Sequence, residues 1–258
     1  MTRGTRSPAR LLPLLRWPAG AGLVSWRYLW LTTPIHRKDL PGDAGDTGPP
    51  IPAEADDERV QHVADGTGPF YHRLYRVRIR DTAMPAERLI GHLADDPNRA
   101  TLIEVAVFQK VRGEGTGARP GDEYVIRMPG PWDGPVRVVE RTPVSFRLAT
   151  LRGHLEAGQI EFRARRDGGH LVFEIESWAR SGDRLAHVLY DLLWVGREMQ
   201  LHLWLQVCLR MARLSGGHRI DGIEVFTSRA AGGGGATRSL SHPDARGPRP
   251  VARQGPPL

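Results

Sequence analysis

The sequence predicts an α+β fold in which a curved, seven-stranded antiparallel sheet packs against one long C-terminal helix. Three observations carry this. Seven short runs alternate apolar and polar residues between positions 71 and 178, each bounded by Gly, Pro, Asp or Thr. The breaks between them have the short spacing of an antiparallel meander. Helical periodicity then takes over at Arg184 and runs to Leu214, where Gly216 and Gly217 stop it.

In order, the first strand covers 71–79, and a helical patch follows from Pro85, a good first-turn residue, to Leu93. Six strands are expected at 102–110, 123–128, 136–141, 145–152, 159–166 and 171–178. Their breaks are chemically plain: Gly113, Gly115, Gly117 and Pro120-Gly121; Pro129 through Pro135; Thr142-Pro143; Gly153 to Gly158; Asp167-Gly168-Gly169. Asp183 can cap the amides that open the long helix, and Arg210 and Arg213 suit its negative end. A helix over 184–214 would be roughly 46 Å long at 1.5 Å per residue, enough to cross a whole sheet. The order strand, short helix, six strands, long helix is that of a helix-grip fold.

Outside 69–228 the sequence changes character. Residues 1–68 form a basic arm followed, from Pro41, by an irregular linker rich in Pro, Gly and Asp, and 229–258 read as a disordered tail rich in Gly, Pro and Arg. The formal charge of +7 sits at these ends: residues 1–40 carry +6 and 229–258 carry +4, which leaves −3 for 41–228. A mildly acidic centre offers phosphates no basic face, so no nucleic-acid partner is expected. Arg3, Arg6 and Arg10 precede a leucine run as in a signal peptide. However, Arg16 and Arg27 interrupt the apolar stretches well short of the ~20 residues that a membrane span needs. The arm, with Trp17, Trp26 and Trp30, has two readings: packing on its own domain, or weak contact with an anionic membrane surface through residues 1–40. The single cysteine, Cys208, rules out an internal disulfide framework and suits a reducing compartment, so the expected location is cytoplasmic with peripheral membrane contact as the alternative.

Four segments resemble a known family: Arg27-Tyr28-Leu29-Trp30, Met128-Pro129-Gly130-Pro131-Trp132-Asp133-Gly134-Pro135, Gly153-His154-Leu155-Glu156-Ala157-Gly158 and Glu176-Ser177-Trp178-Ala179-Arg180. Across about residues 27–217 the chain resembles an uncharacterised bacterial and plant domain-of-unknown-function family placed in the START-like, or SRPBCC, superfamily. The resemblance implies the helix-grip fold and, from most superfamily members, a hydrophobic ligand enclosed between sheet and helix. A minority of members are cyclases or hydrolases. The family itself brings no reaction with it. One departure from the superfamily is that no second short helix is evident between Asp95 and Ala100.

Strand alternation gives the inward faces. Tyr75, Val77 and Ile79 share one, as do Tyr124, Ile126 and Met128; Phe146, Leu148 and Thr150; Ile160, Phe162 and Ala164; and Leu171, Phe173, Ile175 and Ser177. The opposite faces carry Arg76, Arg78, Glu123, Arg127, Glu161, Arg163, Glu174 and Glu176. The strands at 102–110 and 136–141 are ambiguous. On the long helix, Leu189, Leu193, Gly196, Gln200, Leu203, Val207 and Met211 form the stripe that should face the sheet. His187, Asp191, Glu198 and His202 share another face and are residue types that bind metals, but Gln206, Arg210 and Arg213 continue it as a solvated stripe, so no metal is expected.

The expected function is a binding or carrier module for a small hydrophobic or amphipathic molecule. Its walls would come from Leu193, Gly196, Phe146, Leu148, Phe162 and Phe173, with polar selection by Gln200, Thr150 and Ser177. Gln200 is an amide on an apolar stripe, so it needs either a structural partner or a ligand. The alternative is an enzyme of the same fold acting on a lipid-like or polyketide-like substrate, with Glu140 or His154 as acid/base. His154 and Glu156 otherwise read as a solvated hairpin with a turn-stabilising side chain, and Trp132 as a lid or an edge contact. A third reading is a membrane-surface adaptor, whose cavity would be filled by side chains. No GxGxxG, P-loop, HExxH, CxxC or GxSxG pattern occurs, and no cofactor is expected.

Overall fold

Nine strands, not seven, make up the sheet in the computed structural model, which describes residues 34–42, 46–101, 106–128, 133–182 and 195–230. In chain order these are β1 (Ile35–Pro41), β2 (Thr67–Arg80), β3 (Val107–Arg112), β4 (Glu123–Arg127), β5 (Asp133–Thr142), β6 (Ser145–Thr150), β7 (Glu156–Asp167), β8 (His170–Ser181) and β9 (His218–Ala230). Helix α1 (Ala86–Asp95) follows β2, and helix α2 (Val195–Leu214) precedes β9. The sheet is curved and open, in the order β1-β9-β2-β8-β7-β6-β5-β4-β3. Every neighbouring pair is antiparallel except β1 with β9, which is parallel.

The two extra strands escaped the alternation test for separate reasons. β9 contains Asp221-Gly222, a pair that reads as a turn. Both residues have positive φ (53° and 88°), and they form a bulge that shifts the register against β2 between Val77 and Arg78 without ending the strand. β1 is a charged edge strand with nearly every side chain exposed, so it carries no apolar period to detect. The helix is therefore not the last element: a strand follows it and pairs between β1 and β2. Of the expected helix 184–214, α2 supplies Val195 onward, and 183–194 lie outside the described residues. Leu193, His187, Asp191, Trp132 and the arm's tryptophans also lie outside them.

One face of the sheet is apolar, and the helices pack on it. Tyr75, Val77 and Ile79 of β2 register with Ile175, Phe173 and Leu171 of β8, and this layer meets Leu205, Val207, Cys208 and Met211 of α2. Helix α1 adds Leu89, Ile90 and Leu93, at the spacing of one helical face. Each such side chain contributes about 1.5–3 kcal/mol by leaving water. Cys208 is fully buried, and burial pushes its thiol far above the ordinary range, which fits a packing role and not a nucleophile.

The solvated stripe expected on α2 does not hold at His202, which is buried. A stripe rule assumes one covered face. Here Trp204, Leu205, Cys208, Leu209 and Ala212 are buried as well as Val207 and Met211, so the helix is covered around more than half its circumference. Among the described residues of that stripe, Gln206, Arg210 and Arg213 keep the expected partial or full exposure.

The opposite face is ionic and largely covered. Glu174, only 2% exposed, takes the guanidiniums of Arg76 and Arg163, and Glu176 takes Arg163 and His72. Burial alone would raise both carboxyls, but the arginines (and, at Glu176, His72) hold them below the usual carboxylate range. The segment 46–65 lies over this face. Asp46 accepts from Ser228, the Pro49 and Pro50 carbonyls accept from Arg147, the Ala55 carbonyl accepts from Arg137, and Ala55 and Val60 pack with Val139, Ala149 and Leu151.

Candidate functional site

A cavity of about 180 Å³ opens between α2 and the inner face of β3 to β8. Its apolar walls come from Phe108, Ile126, Val136, Leu148, Ile160 and Leu203, and Trp204 of α2 closes one side. Of the residues chosen from sequence, Gln200, Leu148, Thr150 and Ser177 line it. Phe146, Phe162 and Phe173 do not. They lie deeper in the packed core, where Phe146 stacks on Phe162 at 4.9 Å and Phe162 meets the edge of Trp204 at 5.7 Å. Gly196 falls on α2, one turn before Gln200. Below the cavity a void of about 10 Å³ touches Thr101, Phe162 and Trp204, and there Thr101 Oγ1 and Trp204 Nε1 are buried without a hydrogen-bond partner.

The polar end of the cavity is built from three elements. Gln200 Oε1 on α2 accepts from Arg73 of β2 at 2.6 Å, and Gln200 Nε2 donates to the Glu156 carboxylate at the start of β7 at 2.8 Å. An arginine can only donate and a carboxylate only accept, so the amide orientation is fixed by its neighbours. Arg73 also lies over the Tyr71 ring, 4.7 Å from its centre. Thr150 Oγ1 accepts from the Gly158 amide at 2.9 Å and faces the Gln61 and Gly158 carbonyls at 3.0 and 3.2 Å, so its hydroxyl is used by the backbone.

The hairpin turn before β7 is solvated at Arg152 and Gly153, while His154, Leu155 and Glu156, all half-buried, line the cavity. The turn-stabilising part of the expectation is met, because the Glu156 amide donates to His154 Nδ1 at 2.9 Å. His154 and Glu156 therefore meet through the backbone, and the Glu156 carboxylate goes to Gln200 instead. Burial holds the imidazole of His154 below its ordinary value, against the opposing effects of the Glu156 charge and its backbone hydrogen bond. Glu140 points away from the cavity and pairs with Arg147 at 2.6 Å, because a bulge between Val138 and Glu140 breaks the alternation of β5.

Arg73, Phe108, Val136 and Trp204 were missed among the site residues. A signal existed for Arg73, which sits two residues before Tyr75 on the same alternating face; its charge argued against an inward position. Among the described residues no group of three or more His, Cys, Asp or Glu side chains could hold a metal ion, and no helix is long and apolar enough to cross a membrane.

The model of a family described as a domain of unknown function, DUF1990, matches residues 101–210, from before β3 to the last turn and a half of α2. No curated protein matches the chain. Among solved structures, one from Thermobifida fusca is 18% identical, with 57% of this chain and 97% of that chain covered at a TM-score of 0.38. Another, from Chromobacterium violaceum, is 16% identical, covering 54% and 96% at a TM-score of 0.36. A third, from Mycobacterium smegmatis, is 16% identical, covering 60% and 94% at a TM-score of 0.37. Likeness at this level carries no functional argument.

Proposed function

We propose that the protein is a helix-grip, START-like binding or carrier module that holds a small, mainly apolar molecule between α2 and the inner face of the sheet. The observation that carries this is the cavity of about 180 Å³, walled by aliphatic and aromatic side chains and closed at one end by Gln200, Glu156 and His154. Apolar walls with a few fixed polar groups are the usual make-up of a small-molecule site. For scale, an engineered apolar cavity of about 150 Å³ accepts benzene. The membrane-surface adaptor has no use for an unfilled cavity, and of the basic arm on which it rests, residues 1–33 lie outside the described residues and 35–40 belong to β1.

The enzyme reading is favoured by one observation: a carboxylate and an imidazole both line the cavity. Against it, Glu156 is bonded to Gln200 and His154 to a backbone amide, so neither orients the other for proton transfer. Native mass spectrometry of protein purified from its own host tests the binding reading. A co-purifying small molecule released on denaturation is expected. Fragment screening by NMR that finds no apolar probe in the cavity would overturn it.

A further inference from the structure

The polarity of one side chain in the cavity wall is fixed by the backbone. A peptide N–H always carries its hydrogen, so the Glu156 amide, 2.9 Å from His154 Nδ1, requires that nitrogen to be the acceptor. In a neutral ring the proton then sits on Nε2. A protonated ring would donate from Nδ1 to the Glu156 carbonyl, 3.0 Å away; the neutral ring meets that oxygen without a proton between the two atoms. His154 lines the cavity, and among the described residues Nε2 has no hydrogen-bond partner. It points close to the start of β5, where a Cβ on Gly134 would come within 3.0 Å of Nε2, so glycine there leaves room for the ring.

We propose that His154 is the polar selector of the cavity, a fixed N–H donor for a neutral ligand that carries an oxygen acceptor, such as a ketone or ester carbonyl, on a small apolar body. This rests on the binding reading above. A ligand that covers this half-buried donor without offering an acceptor is penalised, and a carbonyl oxygen is the group that meets it while remaining compatible with apolar walls. Burial of the ring favours the neutral form that keeps Nδ1 an acceptor. Glu156 lines the same end and disfavours an anionic ligand.

The test uses acetophenone and ethylbenzene, two probes of similar shape that differ in the carbonyl, titrated by NMR into the full chain and two variants. His154→Phe removes both ring nitrogens. His154→Asn keeps an acceptor for the Glu156 amide but loses the far donor, so it decides the matter if the first variant does not fold. Acetophenone should weaken about fivefold to tenfold in both variants, while ethylbenzene changes less than about twofold. Because each probe is compared with itself, their different hydrophobicities cancel. Unchanged acetophenone affinity in a folded variant, or tighter wild-type binding of benzoate than of acetophenone, overturns this proposal and leaves the binding reading standing. If neither neutral probe binds the wild type, the binding reading fails and this inference with it.

Discussion

Arg73 donates to the side-chain oxygen of Gln200 across 2.6 Å, and this contact ties strand β2 to the helix that closes the cavity. The same amide passes on to Glu156 at 2.8 Å, so a buried guanidinium and a carboxylate are linked through one neutral side chain. Gln200 is thus both a wall of the cavity and a structural bridge. Its two possible readings from sequence, structural partner or ligand selector, are not exclusive.

Gln200→Leu should destabilise the protein by about 1–3 kcal/mol, because both hydrogen bonds are lost at once and an apolar side chain is placed between two charged groups. Chemical denaturation of wild type and variant measures this. An unchanged midpoint would mean that the bridge contributes nothing net, and Gln200 would then be free to serve a ligand alone.

The outer face predicts acid lability with a definite sign. Carboxyls in the unfolded chain take up protons near a pKa of about 4.3, whereas Glu174 and Glu176 do so only at lower pH in the fold. Their contribution is therefore fully present above the unfolded value and is lost as pH falls through the folded value. Arg163→Met removes a partner shared by both carboxylates and should destabilise at neutral pH, though by less than the roughly 3–5 kcal/mol of a fully broken buried pair, because Arg76 still holds Glu174 and His72 still holds Glu176. A melt series from pH 7 to pH 3 should show a shallower acid decline for the variant than for wild type.

His154 gives a second, separate pH step. Its folded pKa lies below the ordinary value of 6.5, so the unfolded chain gains a proton first as pH falls. The stability it contributes is present above about pH 6.5 and declines from there toward the folded value. Wild type should therefore lose stability on going from pH 7 to pH 5, and His154→Asn should lose measurably less. Equal slopes would place the imidazole in contact with water.

Thr101→Val concerns the void of about 10 Å³ under Trp204. Thr101 Oγ1 is buried without a partner, and valine fills nearly the same volume without a hydroxyl to desolvate. The variant should be as stable as wild type or up to about 1 kcal/mol more stable. A loss in the thermal melt would mean that a water occupies the void and bridges Thr101 to Trp204 Nε1, since that space is near the smallest that holds one.

How much of this was legible follows from what each signal measures. Alternation located the inner faces of β2, β4, β6, β7 and β8 because an apolar layer at Tyr75, Phe146, Phe162 and Phe173 obeys a period of two. It failed at β9, where Asp221-Gly222 is a bulge inside a strand and not a turn between strands. It also stopped short on the outer face. It placed Glu174 and Arg163 there, but nothing in the strands tells that Glu174 is buried among arginines or that residues 46–65 reach Arg147 and Arg137 on that face. At the site, Gln200 stood out as a polar residue on an apolar stripe. Arg73 did not, because an inward-facing arginine is explained only by partners far away in sequence. Depth was out of reach as well: alternation says which way Phe146 and Leu148 point, but not that one lies in the core and the other on the cavity wall.

Gly158 gives the last prediction, because it fixes where the turn bearing His154 and Glu156 joins the sheet. Its φ is 154°, a conformation that side-chain-bearing residues rarely adopt, and a Cβ there would lie 2.0 Å from the Trp178 carbonyl oxygen. Backbone atoms are on both sides of that contact, so no rotamer change relieves it. The Gly158 amide also donates to Thr150 Oγ1 at 2.9 Å, which sets the end of β6 against β7. Gly158→Ala should therefore destabilise by clearly more than about 1 kcal/mol, the ordinary effect of a tolerated glycine replacement. Because the strain falls between β7 and β8, the variant should also disturb the polar end of the cavity. In a variant that still folds, NMR shifts of the Glu156 amide and the Gln200 side chain should move while those of Leu89 and Ile90 on α1 stay put. Shifts spread evenly over both regions would mean that the strain is shared by the whole sheet and that Gly158 does not specifically place the turn.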